Sequence, residues 1–255
     1  MRVRLFVLLG YSLLVSVSLV SAQTQSQPAI IKVPDGGASG RMESIFIPPK
    51  AGAPFSLMLV TEWSRPMGNG GTFTLTNERR IVRDGAGRIY QERWILVPKG
   101  SAIKSHMDVF QITDPDRHTW YNCITETKVC DLYLYRLETT DSFLPAISTT
   151  GPLPDGNGSR LHEDLGSTST AGLETHGYRE TLTINPGVMG NDKPMVTTRE
   201  FWYSPELAIN VVSFVDSPQS GRQAFTIKDL STSEPEASFF VVPDDYKIKD
   251  RRNEQ

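Results

Sequence analysis

The histidines are the first residues to ask about chemistry: His106, His118, His162 and His176. His118 closes the run Asp114-Pro115-Asp116-Arg117-His118, where two carboxylates and an imidazole offer metal ligands. The same Asp-Pro-Asp text is turn chemistry, because Asp bonds its own nearby backbone and Pro fixes φ, and the turn is the reading adopted. His162-Glu163-Asp164 sets three ligand types in a row, but strand neighbours point to opposite faces, so they do not converge on one ion. His106 and His176 stand alone at strand beginnings, and there is no H-E-x-x-H. Serine is plentiful, yet G-x-S-x-G is absent. Asn185-Pro186-Gly187-Val188-Met189-Gly190-Asn191-Asp192 resembles a phosphate loop in its glycines only. It lacks the Lys-Ser/Thr ending and no helix follows to receive an anion. Gly and Asn there mark a loop that needs positive φ. No catalytic, cofactor-binding or metal-ligating residue is assigned, and no cofactor is expected.

The elements around these residues read as strands. Ser44-Ile45-Phe46-Ile47 forms a short one stopped by Pro48-Pro49, and Pro54 to Trp63 another. Thr72 to Arg83 and Arg88 to Val97 flank the turn Asp84-Gly85-Ala86-Gly87. On the return strand Tyr90, Trp94 and Leu96 share one face, and Ile89, Arg93, Ile95 and Val97 the other. Met107 to Thr113, Thr119 to Ile124 and Val129 to Tyr135 continue a meander of hairpins. The pattern lapses over 137–158, where Gly, Pro and Asn cluster; this segment is either a lid over a cavity or a surface excursion, with a short helix at Ser142 to Ile147. Strands resume at Arg160 to Leu165. Gly172 to Ser217 then holds three strand segments, one glycine-rich loop and the turn Ser204-Pro205-Glu206-Leu207, and it is expected to supply the centre of the sheet. Gln223 to Leu230 follows, Pro235 starts one helical turn over Glu236 to Phe240, and Lys247 to Gln255 reads as a charged tail. The fold class is mainly β: a curved antiparallel sheet, half-barrel or barrel-like, of about ten or eleven strands, with at most one or two short helices.

The two ends and the charge bound the function. Arg2 and Arg4 precede the apolar run Leu5 to Val20, and Val20-Ser21-Ala22 offers small residues for a signal peptidase. The run is shorter than the roughly 20 residues a membrane-spanning helix needs. Residues 1–22 are therefore read as a signal peptide, 23–41 as a flexible leader and 42–246 as a single β domain. The protein is expected to be exported, to the periplasm or the outside, with no stable membrane span after cleavage. Loss of the signal removes two arginines and no acids, taking the net charge from −3 to −5 (24 basic against 29 acidic residues). Mild, dispersed acidity argues against nucleic acid, which requires a concentrated basic patch.

Cys123 and Cys130 are the only cysteines. With Thr125-Glu126-Thr127-Lys128 as a four-residue hairpin loop, Ile124 faces Val129 and Cys123 faces Cys130, so the sulfurs meet across the strands. In an oxidising compartment this predicts a structural disulfide. Trp63, Trp94, Trp120 and Trp202, with Phe73, Phe110, Phe201 and Phe214, are enough to line one apolar concavity or to fill an ordinary β core, and the core is the favoured reading.

Gly172 to Asp216 resembles a secreted, β-rich family common in Acidobacteria-type bacteria. The features that carry the likeness are GLETHGYRETLTI at 172–184, GND at 190–192 and W-x-S-P-E-L at 202–207, with RDGAGRIYQER at 83–93 and ITDPDRHTWYNCITETK at 112–128. More distantly, Glu234 to Tyr246, closing on P-x-x-Y, is similar to the end of the lipoprotein-carrier (LolA/LppX-like) superfamily. That resemblance implies a curved sheet around an apolar cavity for lipid chains, although this chain has hardly any helix to plug one. The expectation is an exported, non-enzymatic protein that binds an apolar ligand or an envelope partner. The alternative is a structural or interaction module of the cell envelope without a ligand cavity.

Overall fold

The computed structural model describes residues 45–136 and 149–254. The signal peptide, the leader and the helix expected at Ser142 to Ile147 lie outside the described residues. Fourteen strands are present among the described ones, more than the ten or eleven expected. They are β1 (Phe55–Pro66), β2 (Thr72–Arg83), β3 (Ile89–Trp94), β4 (Val97–Pro98), β5 (Met107–Asp114), β6 (Thr119–Ile124), β7 (Val129–Leu134), β8 (Gly151–Pro152), β9 (Gly158–Thr170), β10 (Leu173–Ile184), β11 (Met195–Ser204), β12 (Ile209–Ser217), β13 (Gly221–Ser231) and β14 (Lys247–Asp250). The described helical content is two single 3₁₀ turns, Pro154–Gly156 and Ala237–Phe240.

The strands form one open sheet in the order β14-β7-β6-β5-β3-β2-β1-β13-β12-β11-β10-β9-β8, with β4 beside β2. The chain starts in the middle at β1 and meanders outward to β7. It resumes at the opposite edge with β8 and β9 and meanders back, so that β13 closes antiparallel against β1. The stretch Gly172–Ser217 therefore supplies β10 to β12 on one flank, and the centre of the sheet is the β1–β13 pair instead. The charged residues from Lys247 are likewise not all tail: β14 adds parallel to β7, with Lys247 N donating to Lys128 O and Arg251 N to Leu132 O. Conversely Ser44 to Ile47 is not a strand in its described part. Ile45 and Ile47 are buried, but they cap one end of the core rather than pair with a strand.

The sheet curls, and one interaction shows toward which face. Arg83 on β2 and the β11–β12 turn are three to four strand spacings apart, about 14–19 Å along a flat sheet. Yet Arg83 Nη2 donates to Leu207 O at 2.7 Å. The face carrying Arg83 is therefore concave. Alternation places Phe55, Leu57, Leu59, Ile81, Ile89 and Phe225 on that inner face, where they meet Leu207, Ile209 and Leu173 in one buried cluster. Each such side chain, once buried, stabilises the fold by about 1.5–3 kcal/mol.

The outer face of β2, β3, β5, β6 and β7 is covered by the segment after β13. Val82, Phe110, Ile112, Cys123, Cys130 and Phe240 form its core. Phe239 packs on Tyr90 at 5.2 Å between ring centroids and Tyr246 edge-on to Phe110 at 5.2 Å. Arg88 lies over Phe240, and Glu234 accepts from Gly85 N with both carboxylate oxygens. The acidic–aromatic stretch Glu234 to Tyr246 thus wraps the outside of the sheet and delivers β14 to its edge.

Cys123 and Cys130 are directly opposed on β6 and β7 and joined by a disulfide, with Ile124 opposite Val129. Both sulfurs are buried in the outer-face core. Replacing both cysteines by serine is expected to lower the unfolding free energy by about 2–3 kcal/mol, the loop-closure value for so short a crosslink. Urea unfolding read by tryptophan fluorescence checks this, and an unchanged midpoint would refute it.

Candidate functional site

A polar band crosses the middle of the concave face. Thr61 on β1 faces Asn77 on β2, Leu59 faces Arg79, and on the next strand, β3, Gln91 faces Gln111, which faces Asn122. Thr61, Asn77, Arg79, Gln91 and Gln111 are all buried. Gln91 Nε2 donates to Gln111 Oε1 at 3.1 Å, and Gln111 Nε2 to Asn122 Oδ1 at 2.8 Å, a side-chain ladder across β3, β5 and β6. Asn77 Nδ2 donates to Trp94 O at 2.5 Å. The interior is therefore apolar at the Phe55 end and polar at its waist.

Two arginines four residues apart on β2 both point inward, and the fold treats them differently. Arg83 is fully buried and completely bonded: Nε to Ala53 O at 2.9 Å, Nη1 to Pro48 O at 2.8 Å and Nη2 to Leu207 O at 2.7 Å, with its guanidinium over the Phe55 ring. It ties the entry to β1 and the β11–β12 turn to β2. Arg79 is 1% exposed, and none of its three guanidinium nitrogens has a hydrogen-bond partner. Burial pushes its pKa down to about 9, since the charged form has lost water and gained nothing. Neither arginine stands out in the sequence, where NERRIVR reads simply as a strand. Its alternation does put Arg79, Ile81 and Arg83 on one face, and two cations beside a buried isoleucine are the signal that could have been used.

The residues considered for chemistry fall elsewhere. His118 sits in the tight β5–β6 turn at φ 53°, as the turn reading requires. His176, expected to stand alone, has partners: Nε2 lies 2.7 Å from Asp164 Oδ1 and Nδ1 lies 3.1 Å from Ser167 Oγ. A bulge in β9 opposite Gly177 brings Asp164 diagonally to His176, which simple alternation does not foresee. This serine–histidine–aspartate contact lies on an exposed sheet surface, with the Asp164 side chain 63% exposed. Nothing there excludes water, and the neighbouring Gly166 N–H is already spent on Asp164, so the group reads as a cross-strand network rather than an activated nucleophile. Tyr178 stacks beside both His176 and His162. Among the described residues no group of three His, Cys, Asp or Glu is placed to hold a metal ion.

The Gly166 N–H first, and the His176 imidazole second, hold the Asp164 carboxyl below its ordinary value of 3.8. A depressed carboxyl pKa contributes stability above the unfolded value and loses it as pH falls through the folded one, so the contribution fades below about pH 4. In a His176→Gln variant the Asp164 titration, followed by carboxyl carbon NMR, is expected to move up toward 3.8. No movement would show that histidine plays no part.

The loop at 185–194 is held by Asn191, whose Nδ2 donates to Asn185 O and Lys193 O while its Oδ1 accepts from Met189 N. Gly187 and Gly190 take the positive φ that the sequence calls for, 85° and 77°. It connects β10 to β11. Gly177 serves close packing instead. The Trp202 ring lies against it across the strands, and a Cβ there would come within 2.8 Å of the ring.

The aromatic residues do not line one concavity. Trp63, Trp120 and Phe201 have inner-face positions, Trp94, Phe110 and Phe214 belong to the outer face, and Trp202, beside a bulge, packs against the buried cluster around Phe55 and Leu207. Trp94 Nε1 donates to Glu92 at 2.7 Å and Trp202 Nε1 to Glu200 at 3.0 Å, the same Glu-x-Trp arrangement on two flanks of the sheet. The outer clefts, such as the one of about 490 Å³ between Met58, Arg80, Glu234 and Phe239, hold no unpartnered buried charge among the described residues.

No family model matches the chain, and no curated protein is similar to it in sequence. Among solved structures, a chain of the Pseudomonas aeruginosa MucA/MucB complex is similar over 77% of this chain and 58% of its own, at 13% identity and a TM-score of 0.37. LprF from Mycobacterium bovis matches 76% of this chain and 90% of its own, at 12% identity and a TM-score of 0.30. A putative outer membrane lipoprotein-sorting protein domain from Vibrio parahaemolyticus matches 72% and 88%, at 10% identity and a TM-score of 0.17. The chain thus spans little more than half the length of the first of these. No residue role passes from any of them to this chain.

Proposed function

We propose that this chain is an exported, non-enzymatic binding protein that holds an apolar or amphipathic ligand on the concave face of its sheet. The observation that carries the reading is the interior itself. Apolar side chains and a band of buried polar groups, several of them without a hydrogen-bond partner, share the concave face. A lining of that kind, mostly apolar with a few convergent polar groups, has the composition that small-molecule sites share. Export rests on the N-terminal text from Arg2 to Ala22. No described helix is long and apolar enough to cross a membrane.

Native mass spectrometry of the mature protein isolated from its own compartment, followed by organic extraction, tests the proposal. A releasable lipid or other amphiphile is the expected result. A homogeneous ligand-free mass, from a protein that also takes up no alkyl-chain ligand when titrated, refutes it.

A second reading, a module that docks an envelope protein, is favoured by one observation. Val188 and Met189 stand exposed at the tip of the β10–β11 loop, with exposed Val196 at the start of β11. Such a cluster of apolar tips suits a protein contact. Loss of partner capture in a Val188→Ser, Met189→Ser double variant, with ligand content unchanged, is the result that reading requires.

A further inference from the structure

Arg79 is the one described guanidinium whose three nitrogens are all buried and without a partner. Thr61 Oγ1, Asn77 Oδ1 and Gln91 Oε1 are buried and unpartnered as well. These four groups are neighbours. Thr61 opposes Asn77, the next inward pair along the same two strands is Leu59 and Arg79, and Gln91 opposes Ile81, the inward residue beside Arg79. Native interiors leave few polar groups unsatisfied, and they do not ordinarily gather them on three adjacent strands around a cation.

The described inner-face carboxylates do not answer the charge. Asp131 pairs with Arg251, Glu180 with Arg160 and Asp164 with His176. Nor is Arg79 a tie between elements, as Arg83 is. What it offers is a planar fork of N–H donors in a water-poor setting, the arrangement that takes two oxygens of one acid group side by side. Thr61 adds one hydroxyl, while Asn77 and Gln91 add acceptors. A tetrahedral phosphate would need more donors than this, so a flat carboxylate fits better. The acceptors suit a hydroxyl or amide N–H close to it. Leu59, Ile81 and Phe225 stand on the same face to meet an alkyl chain.

We propose that Arg79 is the headgroup seat of the concave face. It binds the carboxylate of an amphiphile, with Thr61, Asn77 and Gln91 around the acid group and the chain laid along the inner strands. This rests on the ligand-binding reading above and names the ligand class.

The test uses the delipidated mature protein with laurate, dodecanol and acetate, read by calorimetry and by the fluorescence of the inner-face residues Trp63 and Trp120. Laurate is expected to bind at least tenfold more tightly than dodecanol. Acetate should bind far more weakly than either, which separates an amphiphile's acid from a free one. In Arg79→Met and Arg79→Gln variants, shown by circular dichroism to be folded, laurate should fall to the affinity of dodecanol while dodecanol is unchanged. Laurate and dodecanol binding alike in the wild type, or laurate affinity kept within twofold in both variants, would overturn the seat and leave the ligand-binding face standing. Acetate binding as tightly as laurate would overturn the amphiphile assignment. Binding of none of the three would remove the face and the seat together.

Discussion

Replacing Arg83 with methionine is expected to lower the unfolding free energy by about 3–5 kcal/mol, the range for breaking a buried charged network. The side chain fits, so the loss comes from what it leaves behind. The carbonyls of Pro48, Ala53 and Leu207 each lose a donor. A buried acceptor left unsatisfied costs about 1–3 kcal/mol, and three are stranded at once. These carbonyls belong to the entry to β1 and to the β11–β12 turn, so the effect should extend across the curl of the sheet. Urea unfolding followed by far-UV circular dichroism measures the loss. Hydrogen exchange should show the β11–β12 turn opening early in the variant. A change below about 1 kcal/mol would mean that water replaces the guanidinium at small cost, and that the curl does not depend on it.

The same substitution four residues away should have the opposite sign. Arg79→Met in the ligand-free protein is expected to raise stability by about 1–4 kcal/mol, as replacement of buried charge by apolar side chains of similar volume often does. The wild-type residue brings a desolvated cation inside and recovers no hydrogen bond for it. Methionine keeps the flexible volume beside Leu59 and removes the charge. A loss of stability greater than about 1 kcal/mol would show that Arg79 has a structural partner, and the headgroup seat would lose its basis. The two variants form a pair on one strand and one face, so differences in β-propensity and strand position largely cancel between them.

Much of the architecture is legible in the sequence, and the part that is not has identifiable causes. Turns announce themselves through Asp84-Gly85-Ala86-Gly87, Asp114-Pro115-Asp116 and Ser204-Pro205, because their chemistry is local. The register of the cysteine hairpin follows from its loop length. β14 is hidden because Lys247–Asp250 is exposed throughout and charged on either side of Ile248, and it pairs only as a short parallel edge strand with no buried face to betray it. The Ile45 and Ile47 spacing mimics a strand but serves a cap. The site is harder to read for a different reason. Arg83 finds its carbonyls 30, 35 and 124 residues away, and the idleness of Arg79 is a property of what surrounds it rather than of its own neighbours in sequence. His176 meets Asp164 only through a bulge at the β9–β10 pairing. Periodicity tells which way a side chain points, not what it finds there.

The meeting of the two meanders at β1 and β13 has a kinetic consequence. Within each meander successive strands pair through short connections, so these contacts form early and cheaply in chain entropy. Leu59 must wait for Ile227, and Thr61 for Phe225, before the seam can close. During synthesis the open edge of β1, carrying Leu57, Leu59 and Val60, is thus a long hydrophobic strand without its partner until β13 has been made. Refolding should run in two stages, two hairpin stacks and then one slow zipping step, with the β1–β13 amides the last to gain protection in pulse-labelled hydrogen exchange. The interval before that step is when this chain is most exposed to edge-to-edge association with other copies of itself.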